Sequence, residues 1–121
     1  MDAQAPPSGP AATARIAMEG IGAQARRSNQ ARVSQLTAAL HRSSAGELSP
    51  LECQRSMEVA HQLVGSAGTF GYQRVSELGR QLESFFAGGA QGNAAQLAAA
   101  ALALVHMQED LASPAEASEL S

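Results

Sequence analysis

The feature that most constrains this chain is how few large side chains accompany its apolar content. Alanine supplies 26 of the 121 residues, more than the 22 contributed by Leu, Ile, Val and Phe together. Those 22 are about 18% of the chain, a fraction that signals disorder only when net charge is also high, and here the formal charge is −3. A folded chain is therefore expected. Alanine is the best helix former, whereas strand-favouring aromatics are limited to three Phe and one Tyr, with no Trp. Closely packed helices are the expected outcome.

A chain of this length predicts one domain with a two-layer core, needing neither disulfide nor metal. Cys53 has no second cysteine to pair with, which favours a reducing compartment. No run of 18 apolar residues exists to span a membrane, and the first 14 residues lack a secretion-signal pattern. A cytoplasmic protein without membrane contact is expected. All eight basic residues are arginine, and at a pI near 5.5 no basic stripe is available for phosphate backbones, which excludes nucleic acid as the expected partner.

Residues 1–10 hold three prolines and predict a loose arm. Residues 11–111 predict a bundle, and 112–121 a polar tail or linker. The first helical stretch runs from Ala11 to about Arg42, with Val33, Leu36 and Leu40 on one face; Gly20 and Gly22 leave open whether it is one helix or two. Ser49, Pro50 and Glu52 form a cap, first turn and capping-box partner, so a second helix should start at Pro50. Its core stripe is expected to be Val59, Ala60, Leu63, Ala67 and Phe70, with Glu52 or Ser56 at the margin. A third helix carries Val75, Leu78, Leu82 and Phe85. A fourth, capped by Asn93, carries Leu97, Ala101 or Leu102, Leu104 and Val105. Short connections predict an all-α, antiparallel up-and-down four-helix bundle.

The fold alone implies no activity. At ~100° per residue, His61 falls about 160° from Leu63 and Val59, and so faces solvent. Gln54, Met57, Glu58, Val64, Gly65 and Gly68 share that face. A glycine within a helix costs about 1 kcal/mol relative to alanine, and two flank this histidine. Gly68 can simply end the helix, with Gly65 incidental. Alternatively, both clear space for another protein to bring a reactive group to the imidazole.

The run Ala60-His61-Gln62-Leu63-Val64-Gly65-Ser66-Ala67-Gly68-Thr69-Phe70-Gly71, followed by Leu78-Gly79-Arg80-Gln81-Leu82-Glu83, resembles the signature of histidine-containing phosphotransfer domains. The resemblance implies that His61 accepts a phosphoryl group from a histidine kinase or a receiver-domain aspartate and passes it to another receiver aspartate. It implies a monomeric phosphocarrier without catalytic activity or cofactor of its own, the Mg²⁺ being the receiver's. Glu83 matches the family position whose Gln or Glu bonds the imidazole, and Gly65 the glycine that admits the partner. Met57, Glu58, Val64, Gly65 and Gly68 are the expected docking residues. Where the family commonly has lysine three residues after the histidine, this chain has Val64, which removes a charge that would offset the phosphoryl group. Arg80 points away from the core and is not assigned as a substitute. The alternative is a helical module that docks a receiver without phosphotransfer. His41, His106 and Cys53 show no metal-ligand spacing, and no nucleophile elbow or phosphate-binding loop is present.

Overall fold

Local capping decides where two of the helices begin. In a computed structural model that describes residues 9–115, Ser49 Oγ accepts from the Glu52 amide while the Glu52 carboxylate accepts from the Ser49 amide, and Asn93 and Gln96 repeat this reciprocal pair. The helices are α1 (Pro10–Ser44), α2 (Pro50–Thr69), α3 (Gln73–Ala87) and α4 (Ala94–Leu111). Each of the three links between them turns through a glycine at positive φ, Gly46 at 72°, Gly71 at 91° and Gly89 at 87°, where an L side chain would be strained.

Cross-helix bonds give each direction. Arg42 meets Glu52 while Asn29 meets Ser66, so α1 and α2 are antiparallel. His61 meets Glu83 while Gly68 lies against Ser76, which sets α3 antiparallel to α2. Arg74 pairs with Asp110 and Gln30 donates to the Leu111 carbonyl, placing the end of α4 beside the start of α3 and the middle of α1. Among the described residues α1 packs on α2 and α4, and α3 on α2 and α4. The diagonal pairs do not approach, and α2 with α3 is the closest association.

Leu36, Leu63, Leu82, Phe86, Met107 and Leu111 lie at the centre, essentially without solvent exposure. Several expected core positions shift by one residue. Phe86 is buried while Phe85 is half-buried and packs edge-on against it, with ring centroids 5.3 Å apart. Val59 and Phe70 are half-buried, with Cys53 and Ser56 taking up the inner side of α2. In α4 the buried set is Ala100, Ala103, Leu104, Met107 and Leu111, whereas Ala101 is exposed and Leu102 and Val105 are 55% and 48% exposed. One residue rotates a helix by about 100°, and an alanine-rich helix offers little contrast to fix its phase. The neighbouring helices decide it.

Gly20 and Gly22 do not divide the first helix. α1 is continuous over 35 residues, about 52 Å at 1.5 Å per residue. Its first turns extend past the level at which Arg26 donates to the Ala112 carbonyl, leaving Ile16, Met18 and Ile21 exposed. Pro10, assigned by sequence to the arm, occupies the first turn of α1, where its missing amide costs nothing. The expected tail is also shorter at its start, because Tyr72 Oη donates to the Ser113 carbonyl at 2.8 Å and Ala115 packs against the core. Residues 1–8 of the arm and 116–121 of the tail lie outside the described residues.

Candidate functional site

Small residues bring α2 and α3 together beneath His61. Ala60 and Ala67 are buried, and Val64 packs so closely over Gly79 that a Cβ there would lie 2.8 Å from Val64 Cγ2. Ser76 Oγ donates to the Val64 carbonyl at 3.0 Å and lies 3.5 Å from where a Gly68 Cβ would be. These contacts set the register that places Glu83 opposite His61.

His61 projects into solvent, with its side chain 75% exposed. Its Nδ1 is 3.0 Å from Glu83 Oε2, and the Glu83 side chain is 32% exposed. An ionised carboxylate can only accept, so this contact places a proton on Nδ1, and in the neutral imidazole it selects the tautomer whose Nε2 carries the free lone pair. The arrangement offers one oriented nucleophile on an open surface.

The other sequence-derived positions divide. Gly65 is exposed, and a Cβ added to it would meet no atom within 4 Å, so the space beside His61 is open on that side. Glu58 is exposed one turn earlier. Met57 is half-buried and packs against the core, yet it also lines a shallow groove of about 410 Å³ with Cys53, Gln54, Phe86 and Ala87. Gly68 and Val64 are half-buried and serve the α2–α3 seam, so neither stands fully on the outer face. Arg80 is exposed and makes no ion pair among the described residues.

A polar anchor under the site is one that apolar periodicity does not predict. Asn29 is fully buried; its Nδ2 donates to Ser66 Oγ at 3.1 Å and its Oδ1 accepts from Arg32 at 2.7 Å. A sequence signal for it exists, because Asn29 precedes Val33 by four residues and so interrupts the apolar stripe of α1 with an amide. A buried amide persists where it finds partners, and here the partner lies on the helix that carries His61.

Among the described residues no group of His, Cys, Asp and Glu could hold a metal ion, and no helix is long and apolar enough to cross a membrane. A family model described as Hpt domain matches residues 23–114. No curated protein and no solved structure gives a significant match.

Proposed function

Because the chain belongs to the Hpt domain family, whose members carry phosphoryl groups in two-component signalling, we propose that His61 is its phosphoacceptor. The observation that carries this reading is the exposed imidazole whose Nδ1 is engaged by Glu83, with Nε2 open to solvent.

The step balances simply. The Nε2 lone pair attacks the phosphorus of a receiver's aspartyl phosphate, forming a P–N bond as the bond to the aspartyl oxygen breaks and the carboxylate leaves. The positive charge that develops on the ring is offset by the Glu83 carboxylate, which accepts the Nδ1–H hydrogen bond. Transfer onward reverses these events, with the next receiver's carboxylate as nucleophile. A Mg²⁺ bound by the partner would offset charge on the transferring group, while this chain presents and orients the nucleophile. A histidine kinase is the other candidate donor. Gly65 leaves room for the partner, and the Met57-lined groove beside the site offers it apolar surface. Glu58 stands at the rim of the same face. Such a carrier acts in the cytoplasm, where receivers reside.

The test is phosphorylation by a receiver charged with acetyl phosphate in the presence of Mg²⁺, or by its kinase. Wild type is expected to acquire an acid-labile, base-stable phosphate, and His61→Gln none. Equal labelling of His61→Gln refutes the assignment. The packing of Val64 on Gly79, where a lysine would supply charge, favours one second reading, a docking module without transfer. Equal receiver binding by wild type and His61→Ala, with no label on wild type, would establish it.

A further inference from the structure

Arg80 is a cation that the fold does not use. Among the described residues it makes no hydrogen bond or ion pair, although Glu77 and Glu83 lie three residues to either side of it on α3. The other arginine of α3, Arg74, is held by Asp110 at 3.1 Å. The one arginine of α2, Arg55, precedes His61 by six residues, which sets it about 120° round the helix and about 9 Å along it. The chain has no lysine.

The packing of α2 on α3 fixes where Arg80 stands. A Cβ on Gly79 would lie 2.8 Å from Val64 Cγ2 and 3.8 Å from the Ala60 carbonyl oxygen, so Gly79 sits against the turn of α2 that contains His61. Arg80 is the next residue, about 1.5 Å further along α3. The helix period then sets the side. His61 falls about 60° past Val64, away from the buried Leu63, and Arg80 falls about 60° past Glu83, away from the buried Leu82. Pointing away from the core therefore puts both residues on the same outer side of one seam, at one height. Neither helix shows this alone, which is why Arg80 is not assigned from sequence. Helices that meet through glycine approach at the short end of the ~8–10 Å interaxial range, and the stem of an arginine can cross such a gap while its head stays in water.

Phosphorylation creates a charge that this cation suits. With a phosphoryl group on Nε2 and the proton on Nδ1 the ring is cationic, and the Glu83 carboxylate 3.0 Å from Nδ1 offsets that charge. The phosphoryl oxygens have no such counterpart on α2, because Val64 is apolar, and a Mg²⁺ bound by a receiver would leave with it. A guanidinium presents parallel N–H donors that match two phosphoryl oxygens.

We infer that Arg80 is a phosphoryl-binding residue, which crosses the α2–α3 seam onto the phosphoryl oxygens once His61 is phosphorylated and offsets their charge after the receiver departs. The inference rests on the phosphocarrier reading and adds to it the group that stabilises the loaded state.

Phosphoramidate, which transfers its phosphoryl group to Nε2 with release of ammonia, loads the chain without a partner. In isotope-labelled protein the Arg80 Nε–H resonance is expected to shift on loading, while that of Arg55 stays in place. At equilibrium with a receiver and Mg²⁺, the ratio of phosphorylated chain to phosphorylated receiver is expected to fall about 3- to 10-fold in Arg80→Gln, a range between an exposed ion pair and a charge-assisted hydrogen bond. Arg80→Lys should lie between the two, and Arg55→Gln should match wild type. A stationary Arg80 resonance on a chain loaded at His61 overturns the inference, as does an unchanged ratio in Arg80→Gln. A higher KM for the receiver with that ratio unchanged assigns Arg80 to docking instead. No label on wild type, or equal label on His61→Gln, overturns the phosphocarrier reading itself, and this inference falls with it.

Discussion

The α2–α3 seam and the outer face of α4 are both built from small residues, yet they produce opposite surfaces. At the seam, Gly79 and Ser76 let α2 approach until Val64 fills the gap, and the closeness holds His61 and Glu83 at hydrogen-bond distance. On α4, Ala95, Ala98, Ala99 and Ala101 face outward and are exposed among the described residues, and the helix presents shape without chemistry. Small side chains act according to what lies across from them. Where a polar group is opposite, they position it; where they meet solvent, they leave an even surface.

The largest test of this contrast removes the group that the seam positions. Glu83→Ala deletes the acceptor of Nδ1–H, and a hydrogen bond to a charged group contributes roughly 1.5–3 kcal/mol. Phosphoryl transfer to the chain is expected to slow by about 10- to 100-fold, since each 1.36 kcal/mol is a factor of ten. Glu83→Gln, which still offers an oxygen, should lie between the two. Transfer time courses with a phosphorylated receiver measure both, and an unchanged rate in Glu83→Ala would remove Glu83 from the site.

The same substitution at two glycines then separates the seam from the open face. Gly79→Leu must displace Val64, which is stiff about χ1, and overpacking of this kind costs about 1–3 kcal/mol. A lower midpoint in urea unfolding is expected, with the His61–Glu83 contact disturbed as α2 and α3 part. A Cβ at position 65 would meet no atom within 4 Å, and Gly65→Leu replaces a poor helix former with a good one. That variant should gain up to about 1 kcal/mol in the same measurement while losing transfer, because the new side chain occupies the partner's approach. If both variants move stability in one direction, the distinction between seam and open face is lost.

These two classes of residue were unequally legible. Ser49, Pro50 and Glu52 announce α2 because capping is local chemistry, and the exposure of His61 follows from its angle to Leu63 within the same helix. The bundle itself was readable from composition and short links. The burial of Phe86 rather than Phe85, and of Met107 rather than Val105, was not, because in helices with so much alanine the inward face is chosen by neighbours that sequence does not place. The Asn29–Ser66 bond joins residues 37 apart, and only the stripe interruption at Asn29 hints at it. For Gly79, the glycine is visible in sequence but the valine across the seam is not.

The smallest effect concerns the start of α2, away from both faces. Arg42 donates to Glu52 from the end of α1, and the Ser49 amide and hydroxyl also favour its ionised form, so the Glu52 carboxyl is pushed down from 4.5 to about 2. A carboxyl whose folded value lies below its unfolded one binds its proton more readily in the unfolded chain. Its stabilising contribution is therefore complete above about pH 4.5 and is lost as the pH falls toward 2. Glu52→Gln keeps one oxygen for the Ser49 amide and removes the charge and second oxygen that pair with Arg42. The unfolding midpoints of wild type and Glu52→Gln should differ slightly at neutral pH and converge through that acid window. Equal midpoints at neutral pH would mean that the cap, which both forms keep, and not the ion pair with Arg42, carries what Glu52 contributes to joining α1 and α2.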